Sequence, residues 1–431
     1  MKKLFFLVFF IPLVGFGQTR SIKKSPMLTP ATPESVGMSS PRLARIDQMI
    51  TKAMGENVIP GAVAMICRNG KIVYQKAFGY SLGSAGKLFK TDDIFRIASQ
   101  SKAITTTAAM MLWEEGKFNL DDPISKYIPD FKNPTVLESF NAMDSTYTSV
   151  PAGKEITVRN LMTHTSGLGY GVIDGDPRFK AIYNRAGVTD LFTTENITIG
   201  ESVKKLARLP LHYIPGEAYV YSEGLDVLGY LIEIWSGISF SDFLQTRLFQ
   251  PLGMKDTYFY LPDSKASRLI DVQTKDAAGK WIATTEDFYN INYPRTGAKK
   301  FYSGGAGLSS TVFDYATFLQ MYLNKGELNG QRILSRKTIE FMLQNQIDTL
   351  FSGANGDKGF GLGYGILNAH GAMRGGLGSQ GTFEWGGYFN TSYFADPKEN
   401  IIGLIFKQTR FTGGDYTSAM FRQMVFAALD D

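Results

Sequence analysis

The sequence predicts an α/β (α+β) fold, in which an antiparallel sheet of about five or more strands is drawn from both chain ends and flanked by helices, with a helix-rich inserted subdomain. Three observations predict it. β-branched and apolar runs flank Asn69-Gly70 near the start, three more runs joined by short turns follow Thr382, and the apolar spacing between them is mostly helical.

The first residues set a boundary. Met1 with two lysines, an apolar run from Leu4 to Phe16 and then Gly17-Gln18 have the layout of a secretory signal peptide, so residues 1–17 are set apart from the fold. Export to the periplasm or the medium is the matching expectation. The apolar run is too short to span a bilayer of about 30 Å, and no later stretch is long and apolar enough, so no membrane span is expected. Residues 18–38 are rich in Pro, Ser and Thr without a sustained period and read as an exposed leader.

One domain over 39–431 follows, with a sheet subdomain at about 39–98 and 356–431 and a helix-rich insertion at about 99–355. Ser40 and Pro41 suit a helix start, and Leu43, Ile46, Ile50 and Ala53 share a face before Gly55. Ala62 to Cys67 and Ile72 to Phe78 flank Arg68-Asn69-Gly70-Lys71, where Asn-Gly signals a hairpin. At the other end Thr382 to Tyr388, Thr391 to Ala395 and Ile401 to Lys407 read as a meander. A closing helix carries Met420, Phe421, Met424, Val425 and Ala428 on one stripe after Thr417.

Bulk composition excludes several functions. The net charge of +5 carries no long basic run, which gives nucleic-acid binding no support. Cys67 is the only cysteine, so no intrachain disulfide forms, and it reads as a buried strand residue. His164, His212 and His370 lack metal-ligand spacing, and no metal or other cofactor is expected. Gly376-Leu377-Gly378-Ser379-Gln380-Gly381 has dinucleotide-fingerprint spacing without the strand-to-helix setting, and no Gly-x-Ser-x-Gly elbow occurs.

Chemistry gathers at Ser99-Gln100-Ser101-Lys102. Serine needs a base to take its proton, and a lysine three residues on lies one helical turn away. Ser21-Lys24, Ser84-Lys87 and Ser202-Lys205 share the spacing, but they sit in the leader, a loop and what reads as the exposed side of an ordinary helix. Ser99 instead opens a helix whose Ile104, Ala108, Met111 and Leu112 face a core. Ser99 as a mere helix cap, with Lys102 solvated, is the competing explanation.

A second segment, Pro215-Gly216-Glu217-Ala218-Tyr219-Val220-Tyr221-Ser222-Glu223, leads into the helical pattern from Leu225. Together with Ser99-x-x-Lys102, it resembles the serine beta-lactamases, penicillin-binding DD-peptidases and related family VIII carboxylesterases. The likeness extends from about Ile59 to Gln408 through Leu161 to Leu168, Ser303 to Leu308 and Gly359 to Tyr364. The family's third motif stands here as Trp385-Gly386-Gly387, a form that resembles the esterase branch.

That resemblance implies a beta-lactamase/transpeptidase-like fold and a serine hydrolase acting through an acyl-enzyme. Ser99 is then the nucleophile, Lys102 and Tyr221 handle its proton, and either can be the base. The backbone N–H groups of Ser99 and Tyr388 make the oxyanion hole, while Trp385, Gly386, Gly387 and Glu223 contact the substrate. Glu223 stands where many beta-lactamases have asparagine; pairing with Lys102 and simple solvation in a first helical turn both remain open. His164 as a catalytic base competes with a structural role. The expected partner is a small-molecule ester or amide. Ester cleavage leads, a beta-lactamase or D-amino-acid peptidase is the alternative, and a catalytically silent binding protein is a third reading.

Overall fold

The computed structural model describes residues 19–81, 86–284, 289–410 and 413–431, so the signal segment and Ser84 lie outside the described residues. Nine strands form the main sheet: β1 (Thr29–Pro30), β2 (Gly61–Arg68), β3 (Lys71–Ser81), β4 (Lys87–Leu88), β5 (Lys358–Phe360), β6 (Gly365–Leu367), β7 (Phe383–Gly386), β8 (Thr391–Asp396) and β9 (Ile401–Phe406). Their order is β5-β6-β7-β8-β9-β2-β3-β1, with β4 pairing β3 to one side. Every pairing is antiparallel except the short β1 against β3, so the sheet is mixed rather than purely antiparallel. The turn between β2 and β3 is the expected one, with Asn69 and Gly70 both at positive φ.

Five helices matter for the site: α1 (Ser40–Gly55), α2 (Ser101–Glu114), α3 (Gly224–Ser236), α4 (Val312–Leu323) and α5 (Thr417–Ala427). Ser39 rather than Ser40 stands at the N-cap of α1. Strand β2 is buried on both faces and divides the core. Ala62, Ala64 and Ile66 pack with Ile46, Ile50, Phe421 and Val425 of α1 and α5, whereas Val63, Met65 and Cys67 face the larger core that holds Ile104, Leu228 and Phe318. Burial on two sides explains the unbroken apolar run, where one wet face would have given strict alternation.

The leader differs from its expectation. Thr19–Arg20 pairs with Gln331–Arg332 and Thr29–Pro30 joins the sheet edge, while Leu28 and Met38 are buried. Its backbone groups find strand partners that composition does not reveal. Among the described residues no single helix is long and apolar enough to cross a membrane.

Candidate active site

Ser99 sits in a single 3-10 turn, Ala98–Gln100, immediately before α2. Ala98 is fully buried at φ 43, a left-handed backbone that costs a non-glycine residue on the order of 1 kcal/mol and that surrounding contacts must hold. The holding segment is Ser303 to Leu308. The Ile97 N–H donates to Leu308 O at 3.0 Å, the Leu308 N–H donates to Ser101 Oγ at 3.1 Å, and Thr105 Oγ1 donates to Gly304 O at 2.7 Å. This glycine-rich motif thus runs beside the first turn of α2 as a brace.

Lys102 is 2% exposed, and its ammonium has three oxygen neighbours. Nζ lies 3.3 Å from Ser99 Oγ, 3.0 Å from Tyr170 OH and 2.8 Å from Gly305 O. The Tyr221 ring is beneath it, 4.5 Å from Nζ to the centroid, close enough for a cation–π contact. A helix cap with a solvated lysine is therefore excluded. The decoy pair differs: Ser202 is buried, contrary to the exposed face expected, and donates to Thr189 O at 2.6 Å, while Lys205 Nζ reaches Gly187 O.

Tyr221 precedes α3 and is half-buried between rings, 4.6 Å from His164, 5.6 Å from Tyr170 and 6.0 Å from Trp385. Trp385 lies on β7, and its indole also meets Phe360 edge-on at 5.4 Å. Gly387 has no room for a Cβ, which would stand 2.4 Å from Ile97 O. That close approach sets the chain from Gly386 to Tyr388 against the turn bearing Ser99. Tyr388 is half-buried, packs on Phe389 and Tyr289 and lies under the Arg410 guanidinium.

Of the two arrangements left open for Glu223, pairing with Lys102 is not the one formed, since the Lys102 ammonium bonds Ser99, Tyr170 and Gly305. Glu223 is 2% exposed at the N-cap of α3, its N–H donating to Gly169 O at 3.0 Å, so it is not solvated. Burial, reinforced by Asp190 and Asp226, pushes its carboxyl well above the usual range. The acid that does feel Lys102 is Asp226, one turn further along α3. Its Oδ1 accepts from the Gly305 N–H at 2.9 Å and from Ser303 Oγ at 2.7 Å, and burial raises its pKa against the pull of those bonds and of Lys102.

Two residues of this constellation escaped the sequence reading. Tyr170 lies just beyond the motif ending at Leu168, and its phenol is held well above the usual range by burial, then by Tyr221 and the nearby acids. Its backbone N–H donates to Asp174 Oδ2 at 2.8 Å, and the next two amides, of Gly171 and Val172, donate to Asp190 Oδ2 at 2.9 and 3.0 Å. A phenol two residues past the motif and a lone aspartate in the apolar pattern Leu225–Leu228 were the available signals. Among the described residues no group of His, Cys, Asp and Glu is arranged to hold a metal.

Fold and site define a serine hydrolase. The chain belongs to the beta-lactamase family, whose description, Beta-lactamase, it matches over residues 46–424. It is 31% identical over 369 residues to an uncharacterised protein of Mycobacterium tuberculosis, covering 82% of this chain and 87% of that one. Esterase EstB of Burkholderia gladioli is 28% identical over 407 residues, 89% of this chain and 95% of its own. The solved structure of EstCE1, a hydrolase with promiscuous acyltransferase activity, superposes with a TM-score of 0.75 at 27% identity over 89% of this chain and 98% of that one.

Proposed function

We propose that this protein hydrolyses small esters through an acyl-enzyme on Ser99. The observation that carries the reading is Lys102 Nζ, buried and 3.3 Å from Ser99 Oγ, beside the Tyr221 ring. Ser99 Oγ adds to the ester carbonyl carbon as its proton passes to the Lys102–Tyr221 pair. The bond to the alcohol then breaks, and the alcohol leaves with that proton. Water attacks the acyl carbon in the second half, returning Oγ–H to Ser99 and releasing the acid. The N–H groups of Ser99 and Tyr388 receive the developing oxyanion, each such donor being worth about 3 kcal/mol.

Trp385 supports an ester over a carboxylate-bearing beta-lactam or peptide. An indole supplies no charge to meet a substrate carboxylate, and a hydrogen bond to a charged group is worth about 1.5 to 3 kcal/mol, roughly ten- to a hundredfold in affinity. The relative named Esterase EstB fits this preference. Short-chain aryl esters are expected to exceed both a chromogenic cephalosporin and a D-Ala-D-Ala peptide in kcat/KM. A win for either competitor replaces the ester reading with the beta-lactamase or peptidase one. Failure of a fluorophosphonate to label Ser99 stoichiometrically would instead favour a silent binding protein.

Export belongs to the same proposal, from the layout of residues 1–17. N-terminal sequencing of protein recovered from the periplasm or medium tests it, an uncleaved cytoplasmic chain being the contrary result.

A further inference from the structure

The motif Leu161 to Leu168 takes no part in the chemistry above, yet its backbone runs alongside the segment that carries Tyr221. The Val220 N–H donates to His164 O at 2.8 Å, the Gly216 N–H to Thr165 O at 2.8 Å and the His212 N–H to Gly167 O at 2.7 Å. His164 stands at the head of this rail at φ 56, fully buried, with its ring 4.6 Å from that of Tyr221.

Its protonation state follows from its partners. The Ser222 N–H lies 3.2 Å from His164 Nδ1 and can only donate, so Nδ1 is the acceptor and the hydrogen is on Nε2. Ser222 Oγ is also 3.2 Å from Nδ1. Nε2 is buried with no hydrogen-bond partner, and the imidazole is in contact with the rings of Tyr219, Tyr221 and Phe360. Burial and the nearby Lys102 ammonium both work against a positive imidazole. One nitrogen is occupied and the other already protonated, which leaves no lone pair for a general base.

We propose that His164 is a positioning residue for Tyr221, gripping the chain on either side of it through the Val220 and Ser222 amides. The role rests on the reading of Tyr221 as a proton carrier. A residue that fixes a proton carrier acts on turnover rather than on substrate affinity, and its effect disappears once that carrier is removed.

Two substitutions tolerate the positive φ: His164→Asn, whose Oδ1 can take the place of Nδ1, and His164→Gly, which offers no acceptor. Both lose the ring, so their unfolding midpoints serve as the control for packing. With an aryl ester, the asparagine variant is expected within about threefold of wild-type kcat, while the glycine variant loses about tenfold at nearly constant KM. In a Tyr221→Phe background, His164→Gly should cause no further loss. Equal impairment of the asparagine and glycine variants, or the same factor lost again in the Phe background, overturns the positioning role. A fully active Tyr221→Phe enzyme overturns the reading beneath it, and with it this one.

Discussion

Asp226 and Lys102 hold opposite ends of one residue: the carboxylate accepts the Gly305 N–H at 2.9 Å while the ammonium donates to the Gly305 carbonyl at 2.8 Å. Removing the carboxylate therefore reaches the lysine without touching it. Asp226→Ala strands the Gly305 N–H and the Ser303 hydroxyl, each costing about 1 to 3 kcal/mol when buried and unpaired. Denaturant unfolding should reveal that loss, and aryl-ester turnover should fall with it. Asp226→Asn keeps an acceptor and should retain most of both.

Tyr170 supplies one of the three oxygens around Lys102 Nζ. Tyr170→Phe preserves the ring and its packing but removes one of the three acceptors around Nζ, leaving Ser99 Oγ and Gly305 O. The expected outcome is a fall in kcat/KM of about tenfold, together with a stability loss of about 1.5 to 3 kcal/mol, the value of one hydrogen bond to a charged group. Wild-type kinetics in this variant would make Tyr170 a spectator.

The two serines of the motif should separate cleanly. Ser99→Ala is expected to abolish hydrolysis while leaving folding intact, as read by ester assay and circular dichroism. Ser101→Ala lacks an obvious base one turn on, since residue 104 is Ile, and it should remain active. It should nevertheless lose about 1 to 3 kcal/mol of stability, because Ser101 Oγ is buried and accepts the Leu308 N–H.

Asp190 supplies a pH signature. Burial pushes its carboxyl up to about 6 despite the amides of Val172 and Gly171. The folded protein then holds a proton that the unfolded chain has released, so this contribution is full below pH 4 and is lost as pH rises through 6. A shift of this size corresponds to about 3 kcal/mol between the limits. Asp190→Asn should flatten the stability curve between pH 4 and 6, measured by urea unfolding. An unchanged slope would show that another group carries it.

How much of this was legible in the sequence depends on how far apart the partners lie along the chain. Ser99 and Lys102 are one turn apart, so helix geometry alone pairs them, and Asn69-Gly70 dictates its own hairpin. Trp385 was legible as the head of a motif. Tyr170 and Asp226 were not, because their relation to Lys102 arises only when the Tyr170 loop and α3 close on α2. Glu223 misled for a related reason: a charged residue at a helix start ordinarily faces water, and only the packed loop at Gly169 to Val172 encloses it. The leader misled because a strand's partner, not its composition, decides whether it is fixed.

The seam between β9 and β2 has a consequence for the order of assembly. Those strands lie near opposite ends of the chain with α2, α3 and α4 between them, so during synthesis β2 is made long before the edge it pairs with. Until β9 arrives, the hairpin of β2 and β3 carries an open apolar edge, the kind of surface that aggregates. The same delay applies to the site, since Gly387 closes onto the Ile97–Ser99 turn only when β7 is in place. Chains halted anywhere before β7 would carry Ser99 and Lys102 with no strand to close over them.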